Sequence, residues 1–178
     1  EALGATVATG DINGDGWRDI IAGASEYDLR TGAIYVYLNS AEGLSHSYDW
    51  WAKGTTTNQN YGLALAVGDV NADNWLDIFI SNDFFERDYL YINQGDGTFD
   101  EVLEESMRSI SQASMGADMA DINNDSKPDI FVTDMLPEPD ERLKQVTTFE
   151  SWDRYNYSVQ NGYHHQFIRN MLHMNNGD

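Results

Sequence analysis

The sequence contains no cysteine, so disulfide bridges and cysteine-ligated metal sites are excluded. Positive charge is scarce: 10 Lys+Arg stand against 30 Asp+Glu, and the formal net charge is −20. A surface of this sign repels nucleic acid and anionic membranes and attracts cations. No apolar run approaches the roughly 20 residues that a membrane-spanning helix needs. We therefore expect no nucleic-acid partner and no membrane insertion.

The 178 residues, 41% of them hydrophobic, suit one medium-sized domain with a buried core. The sequence starts at Glu1 without a methionine, and we expect no signal peptide within the residues given. We expect a processed product or a fragment of a longer protein.

One segment occurs in three imperfect copies: GDINGDGWRDIIAG (10–23), GDVNADNWLDIFIS (68–81) and ADINNDSKPDIFVT (120–133). Each copy is preceded by an apolar or aromatic residue and a glycine, at Leu3-Gly4, Tyr61-Gly62 and Met115-Gly116. Each is followed by a second shared element, YVYLN (35–39), YLYIN (89–93) or MLHMN (171–175). Agreement at three separate points predicts a repeat architecture.

The pattern inside each copy predicts short strands. In AIYVYLN, Tyr35 and Tyr37 alternate with apolar residues, which is the period of two that a pleated strand imposes. DIIAG and DIFIS are short apolar runs bounded by turns. With a fourth strand near 47–53 and 98–104, each copy has the size of one β-propeller blade. We predict an all-β fold of about three four-stranded antiparallel blades, in which the third copy has no fourth strand of its own.

We expect one repeat domain over 1–178, with blade 1 at about 1–58, blade 2 at about 59–112 and blade 3 at about 113–178. The third copy is interrupted at about 135–167, which we interpret as a loop insertion with a short helix near 139–147. Propellers usually close with four to eight blades, so three blades leave strand edges and blade faces open. A truncated longer protein, an assembly of chains, or an open arc covered by a partner would each resolve this. Truncation is the favoured interpretation.

The repeated acidic loops have the donor pattern of a calcium site. Ca²⁺ takes six to eight oxygen ligands in a flexible arrangement. Positions 1, 3, 5 and 9 of each loop supply side-chain oxygens, and position 7 supplies a backbone carbonyl. The predicted ligands are Asp11, Asn13, Asp15, Trp17 and Asp19 in loop 1; Asp69, Asn71, Asp73, Trp75 and Asp77 in loop 2; and Asp121, Asn123, Asp125, Lys127 and Asp129 in loop 3. Up to three Ca²⁺ ions are expected.

Two other interpretations of the loops are less favoured. An Asp/Asn/Gly-rich turn with solvated charges would explain one loop, but three copies with the same ligand types favour metal. An EF-hand would need a carboxylate at position 12, where Ala22, Ile80 and Val132 stand. The residue at position 6 ranks the three loops as calcium sites, because Gly16 accepts positive φ best, Asn74 less well and Ser126 least.

The loops, together with Leu3-Gly4 and AGAS (22–25), resemble FG-GAP repeats, the calcium-loop blades of integrin α-subunit propellers. The second and third copies also resemble the VCBS variant of the repeat in secreted bacterial relatives of cartilage acidic protein. The segments that carry this likeness are ERDYLYINQGDGTF (86–99), MGADMADINND (115–125), DIFVTDMLP (129–137) and RNMLHMNNGD (169–178). The resemblance implies a calcium-stabilised β-propeller in an extracellular or cell-surface protein.

Other residues suggest sharper functions. His164-His165 could belong to a transition-metal site, but no third ligand is placed by the sequence, and a surface role is favoured. His173 aligns with Tyr37 and Tyr91, so we interpret it as a strand residue. Trp50 and Trp51, with Tyr48, could stack on a sugar; packing between blades is favoured because aromatic side chains bury large areas.

The leading hypothesis is a non-catalytic, secreted calcium-binding module for adhesion, ligand binding or surface assembly, with a protein or glycan ligand. Catalysis is disfavoured because carboxylates engaged on calcium stay ionised and no nucleophile–His–acid arrangement stands out. The alternatives are a carbohydrate-active enzyme or its accessory domain, and a structural subunit of an extracellular assembly, either as a homo-oligomer or with further blades.

Overall fold

The computed structural model describes residues 3–55, 57–83, 86–135, 141 and 152–177. Antiparallel β-sheet dominates these residues, as the sequence pattern predicts. Each acidic segment forms the connection between the first two strands of a sheet. The all-β, blade-type fold is confirmed.

The first sheet, blade 1, has four strands in the order of the chain. Its strands are β1 (Thr6–Gly10), β2 (Asp19–Ala24), β3 (Ala33–Tyr37) and β4 (Trp50–Lys53), and the single turn α1 (Tyr27–Arg30) connects β2 to β3. All neighbouring strands are antiparallel. The pairing of Gly10 with Asp19 closes the base of the first acidic loop.

The second sheet, blade 2, repeats this arrangement. Its strands are β5 (Ala64–Gly68), β6 (Asp77–Ser81), β7 (Tyr89–Asn93) and β8 (Phe99–Glu101), and it is followed by α2 (Leu103–Ser106) and β9 (Ile110–Ser111). Gly68 pairs with Asp77 as Gly10 pairs with Asp19. The acidic loops of blades 1 and 2 therefore stand on the same strand register.

The third sheet, blade 3, has three strands among the described residues: β10 (Ser114–Ala120), β11 (Asp129–Asp134) and β13 (Met171–His173). Ala120 pairs with Asp129 at the base of its acidic loop. His173 pairs with Ile130 and is a strand residue, as predicted.

The predicted insertion at 135–167 contains regular secondary structure that a loop would not have. Its described part includes α3 (Trp152–Gln160) and β12 (Gln166–Phe167), and β12 pairs in parallel with β9. Because β9 lies between blades 2 and 3 in sequence, this pairing attaches the end of the insertion to the segment that connects the two blades. The short helix predicted near 139–147 falls, except for Glu141, outside the described residues.

Two apolar clusters fill the space between successive blades. Between blades 1 and 2, Ile21 and Val36 pack with Ile78, Ile80 and the residues around them. Between blades 2 and 3, a second cluster centres on the fully buried Phe79 and Val132, together with Leu90, Ile130 and Met171. The blades therefore stack face to face, in chain order, across shared apolar layers.

Candidate metal-binding loops

The first acidic loop folds its backbone around its own side chains. The Asp11 carboxylate accepts hydrogen bonds from the N–H groups of Asp15 (3.1 Å) and Gly16 (2.8 Å). Asn13 Oδ1 accepts a second bond from the Asp15 N–H at 3.2 Å, and Asp15 Oδ1 accepts the Trp17 N–H at 2.8 Å. The predicted ligands at positions 1, 3 and 5 are thus gathered on one side of the turn.

The other two loops repeat these bonds at equivalent positions. Asp69 accepts the N–H groups of Asp73 (3.1 Å) and Asn74 (2.9 Å). In loop 3 the equivalent bonds run to Asp121 from Asp125 (3.0 Å) and Ser126 (2.8 Å). The bonds of the position-3 amides and of position 7 also recur, at Asn71, Asp73 and Trp75 and at Asn123, Asp125 and Lys127. Three sequences that differ at several positions therefore share one loop conformation.

Positive φ angles explain which residues the loops need. Position 6 has φ of 88° at Gly16, 73° at Asn74 and 70° at Ser126. Position 4 also lies in the left-handed region, with Ala72 at 62° and Asn124 at 63°. Serine and alanine are strained there because their Cβ atoms approach the backbone. The preference for Gly16 over Asn74 and Ser126 follows the geometry, while the strain at Ala72 is a feature that sequence reasoning missed.

The aspartate at position 9 joins three strands in each blade. Asp19, Asp77 and Asp129 are fully buried. One oxygen of each accepts the N–H of position 2 of its own loop, and the other accepts the N–H of the asparagine at or just beyond the end of the third strand. Burial raises the pKa of the Asp19 carboxyl, and it raises the pKa of Asp77 to about 6.

The donor set of each loop fits a hard cation, because every proposed ligand atom is an oxygen. The grouping is looser than a finished metal site. Among the described residues, no cluster of three or more His, Cys, Asp or Glu side chains is placed to hold a metal ion. Several carboxylate oxygens bond instead to loop N–H groups. Binding of a cation would therefore exchange part of this hydrogen bonding for metal–oxygen bonds.

The asparagine that ends YLYIN and MLHMN has a structural role that the sequence reasoning missed. The Asn93 side-chain N–H₂ donates to the carbonyl of Ile12 in loop 1, at 2.8 Å. The Asn175 side chain donates in the same way to the carbonyl of Val70 in loop 2, at 2.7 Å. The acidic loops of blades 1 and 2 are thereby each linked to the next blade. The shared asparagine in the three motifs was the available signal.

The aromatic and histidine residues singled out from the sequence make different structural contacts. Trp50 packs between blades 1 and 2, with its ring centroid 4.6 Å from that of Phe99. Trp51 lies on the opposite face of blade 1 and stacks on Tyr35 at 6.3 Å. His164 contacts the carbonyl of Met107 through Nε2 at 2.6 Å.

A separate set of acidic residues lies buried between blades 2 and 3. Asp88 is fully buried and accepts the Asn82 N–H at 2.8 Å and the Ser114 hydroxyl at 3.1 Å. Asp134 accepts the Ser111 hydroxyl at 2.6 Å. Burial raises the pKa of Asp88 to about 8, and the nearby Asp134 adds to the rise. These carboxyls accept hydrogen bonds from polar groups that are buried between blades 2 and 3.

Two family models match the chain. An "FG-GAP repeat" model matches residues 3–37, and an "FG-GAP-like repeat" model matches residues 69–132. The matched segments contain the acidic loops of blades 1, 2 and 3. No helix among the described residues is both long and apolar enough to cross a membrane.

Integrin α subunits are similar to this chain over most of its length. Integrin alpha-6 of Gallus gallus is 32% identical over 143 residues, which is 74% of this chain and 13% of that protein. Integrin alpha-V of Gallus gallus is 30% identical over 122 residues, 68% of this chain and 11% of that protein. Integrin alpha-3 of Cricetulus griseus is 26% identical over 148 residues, 73% and 14% respectively. The chain thus spans less than a sixth of these relatives.

Proposed function

Because the chain belongs to the FG-GAP repeat family and has integrin-like propeller blades, we propose that it is a non-catalytic, extracellular module whose blades are pinned by calcium. Its role is adhesion or ligand binding, with a protein or glycan as ligand. The observation that carries the proposal is the identical hydrogen-bonded conformation of the three acidic loops. One conformation shared by three different segments of the chain is expected where each loop must present the same oxygen atoms.

Calcium would act on folding through charge. Each loop brings four candidate ligand side chains, three aspartates and one asparagine, to one turn, in a chain that carries a net charge of −20. A bound Ca²⁺ would cancel repulsion between the carboxylates and cross-link the first two strands of the blade. Since the ion binds only the folded loops, it stabilises the folded state by mass action. At extracellular affinities of roughly 10⁻⁴–10⁻³ M, the sites would fill outside the cell and stay empty in the cytosol.

Thermal melting tests this proposal. Melting curves are recorded by circular dichroism in excess chelator, after calcium is restored, and with magnesium in its place. Calcium should raise the melting temperature markedly over the chelated protein, and more than magnesium does. A melting temperature that does not change between chelator and calcium would refute the proposal.

The repeat limits at about 1–58, 59–112 and 113–178, with the insertion at about 135–167, remain part of this proposal. They place one acidic loop in each blade. Limited proteolysis of the calcium-loaded chain would test them, because exposed connections between blades are cut before the sheets.

A second candidate, a structural subunit of an extracellular assembly, is favoured by the open face of blade 3. Inside the array, Phe79 and Leu90 of blade 2 are buried against blade 3. The equivalent residues of blade 3 are Phe131 and Leu172, which are 39% and 47% exposed. Blade 3 thus presents to solvent the same kind of face that blade 2 buries.

The open face of blade 1 is the complementary half. In blade 2, Ile78 and Tyr89 are buried against blade 1. Their equivalents in blade 1 are Ile20 and Tyr35, which point away from blade 2 beside the exposed Trp51. In this candidate, the blade 3 face of one copy packs on the blade 1 face of a second copy, a head-to-tail contact that can propagate.

Light scattering across a concentration series tests the assembly. Self-association that Phe131→Asp abolishes, and that the exposed-helix control Tyr157→Asp leaves intact, would support it. A strict monomer at every concentration would remove the candidate.

A further inference from the structure

A pocket lies between blades 1 and 2, at the end of the sheets where the acidic loops stand. Its volume is about 360 Å³, within the roughly 300–1,000 Å³ of small-ligand sites. Three aromatic side chains, Trp50, Trp75 and Phe99, line it together with two carboxylates, Asp49 and Asp96. None of the described residues that line it is basic. The pocket therefore combines aromatic walls with uncompensated negative charge.

The aromatic walls are held in place before any ligand arrives. The Trp50 ring lies 4.6 Å from Phe99 and 5.4 Å from Tyr91, centroid to centroid. The Trp75 ring lies against two glycines of different blades: a Cβ added at Gly95 would approach it to 2.7 Å, and one added at Gly14 to 3.0 Å. Both glycines leave room for the indole, so Trp75 is fixed as a wall between the two blades.

The carboxylates are also held in position. Asp49 Oδ2 accepts the Leu38 N–H at 2.8 Å. Asp96 Oδ1 accepts the Thr98 N–H at 3.0 Å as well as its hydroxyl. The hydroxyl bond first, and then the N–H bond, lower the pKa of the Asp96 carboxyl below its ordinary value. Asp96 is therefore ionised at neutral pH, at the solvent-facing side of the pocket.

We propose that this pocket binds an organic cation, with an alkylammonium head group against Trp50, Trp75 and Phe99 and with Asp49 and Asp96 balancing its charge. Aromatic faces attract cations through the ring quadrupole, and weakly hydrated quaternary ammonium groups lose little solvation on entry. A metal ion would gain nothing from aromatic walls, and a neutral ligand without hydrogen-bond donors would gain nothing from the two carboxylates. The inference deepens the ligand-binding part of the proposed function and rests on it.

Isothermal titration calorimetry and tryptophan fluorescence test the pocket, with calcium present and ionic strength matched by NaCl. The probes are choline, its neutral isostere 3,3-dimethylbutan-1-ol, and N-acetyl-lysine methylamide. Choline should bind roughly tenfold more tightly than the neutral alcohol. Binding of choline alone identifies a free quaternary ammonium compound, and comparable binding of the lysine probe identifies a side chain of a protein ligand. Equal binding of choline and the alcohol, or no binding of either cation, overturns the inference.

Variants connect the binding to the pocket. Asp96→Asn and Phe99→Leu should each weaken choline binding several-fold, while Asp100→Asn, an exposed change on the neighbouring residue, should leave it unaltered. Circular dichroism verifies that each variant is folded. An unchanged affinity in both folded pocket variants also overturns the inference. Calcium-dependent melting is measured without choline, so failure of the pocket and failure of the calcium proposal are distinguishable.

Discussion

The side-chain amide of Asn93, the last residue of β7, donates a hydrogen bond of 2.8 Å to the carbonyl oxygen of Ile12 in the acidic loop of the preceding blade. The same amide lies 3.2 Å from the Leu76 carbonyl, and Asn93 Oδ1 accepts the Gly95 N–H at 3.0 Å. Asn93 is 2% exposed, so water cannot replace these bonds. One side chain thus links the loops of two blades.

Replacing Asn93 with alanine should lower the free energy of unfolding by about 1–3 kcal/mol, because buried carbonyl and N–H groups lose their partners. Urea denaturation measures the change. The matched control is Asn39→Ala: Asn39 occupies the equivalent position of blade 1, but its side-chain amide makes no hydrogen bond to a described residue. That control should change stability little. Equal losses in the two variants would contradict the inter-blade role.

Relief of strain in the loops gives a second prediction. Ser126 and Ala72 have φ of 70° and 62°, where a residue with a Cβ costs roughly 1–2 kcal/mol. Ser126→Gly and Ala72→Gly should therefore each stabilise the chain by up to about 1 kcal/mol, after the added flexibility of the unfolded chain is subtracted. Urea denaturation in chelator isolates this effect from calcium binding.

The control for this prediction is Ser47→Gly, at an exposed residue with an ordinary negative φ. It should lower stability slightly, because glycine only adds freedom to the unfolded chain. If Ser126→Gly and Ser47→Gly move stability in the same direction, the loop is not strained at position 6.

Local patterns in the sequence predicted the strands and the loops because both depend on near neighbours. Alternation around Tyr35 and Tyr37 indicates a strand, and Asp-x-Asn-x-Asp with glycine indicates a turn at positive φ. The three copies also reinforced one another, so that Ser126 could be placed by comparison with Gly16. The left-handed conformation at Ala72 was not evident, since alanine seldom adopts it.

The same local patterns did not predict the contacts between blades. The bond from Asn93 to Ile12 joins residues far apart in the chain, and only the stacking of sheets brings them together. The division of Trp50 and Trp51 between two faces followed from strand alternation, but which face is covered depended on the neighbouring blade. The helix at Trp152–Gln160 within the predicted insertion was missed because it is short and most of its residues have low helix propensity.

The buried carboxyl of Asp88 gives a pH prediction. Burial raises its pKa to about 8 in the folded state, whereas an unfolded aspartate titrates near 4. Between these values the folded state holds more protons, so its contribution is fully present below about pH 4 and is lost as pH rises toward about pH 8. Asp88→Asn keeps the side-chain shape and should make the free energy of unfolding fall less between about pH 5 and about pH 8.

Urea denaturation at both pH values, with calcium in saturating amount, measures this slope. The control Asp100→Asn removes an exposed carboxyl on β8 and should leave the slope as in the parent chain. A parental slope in Asp88→Asn would show that Asp88 is ionised in the folded protein.

The central claim is that the acidic loops hold calcium, and native mass spectrometry of the chain titrated with calcium tests it most directly. The account predicts up to three bound ions, one for each loop. Asp15→Ala should remove one ion at low calcium concentration more clearly than Asp125→Ala, because loop 1 has glycine at both left-handed positions and loop 3 has Asn124 and Ser126. A spectrum with no specifically bound calcium in the folded chain would contradict the account.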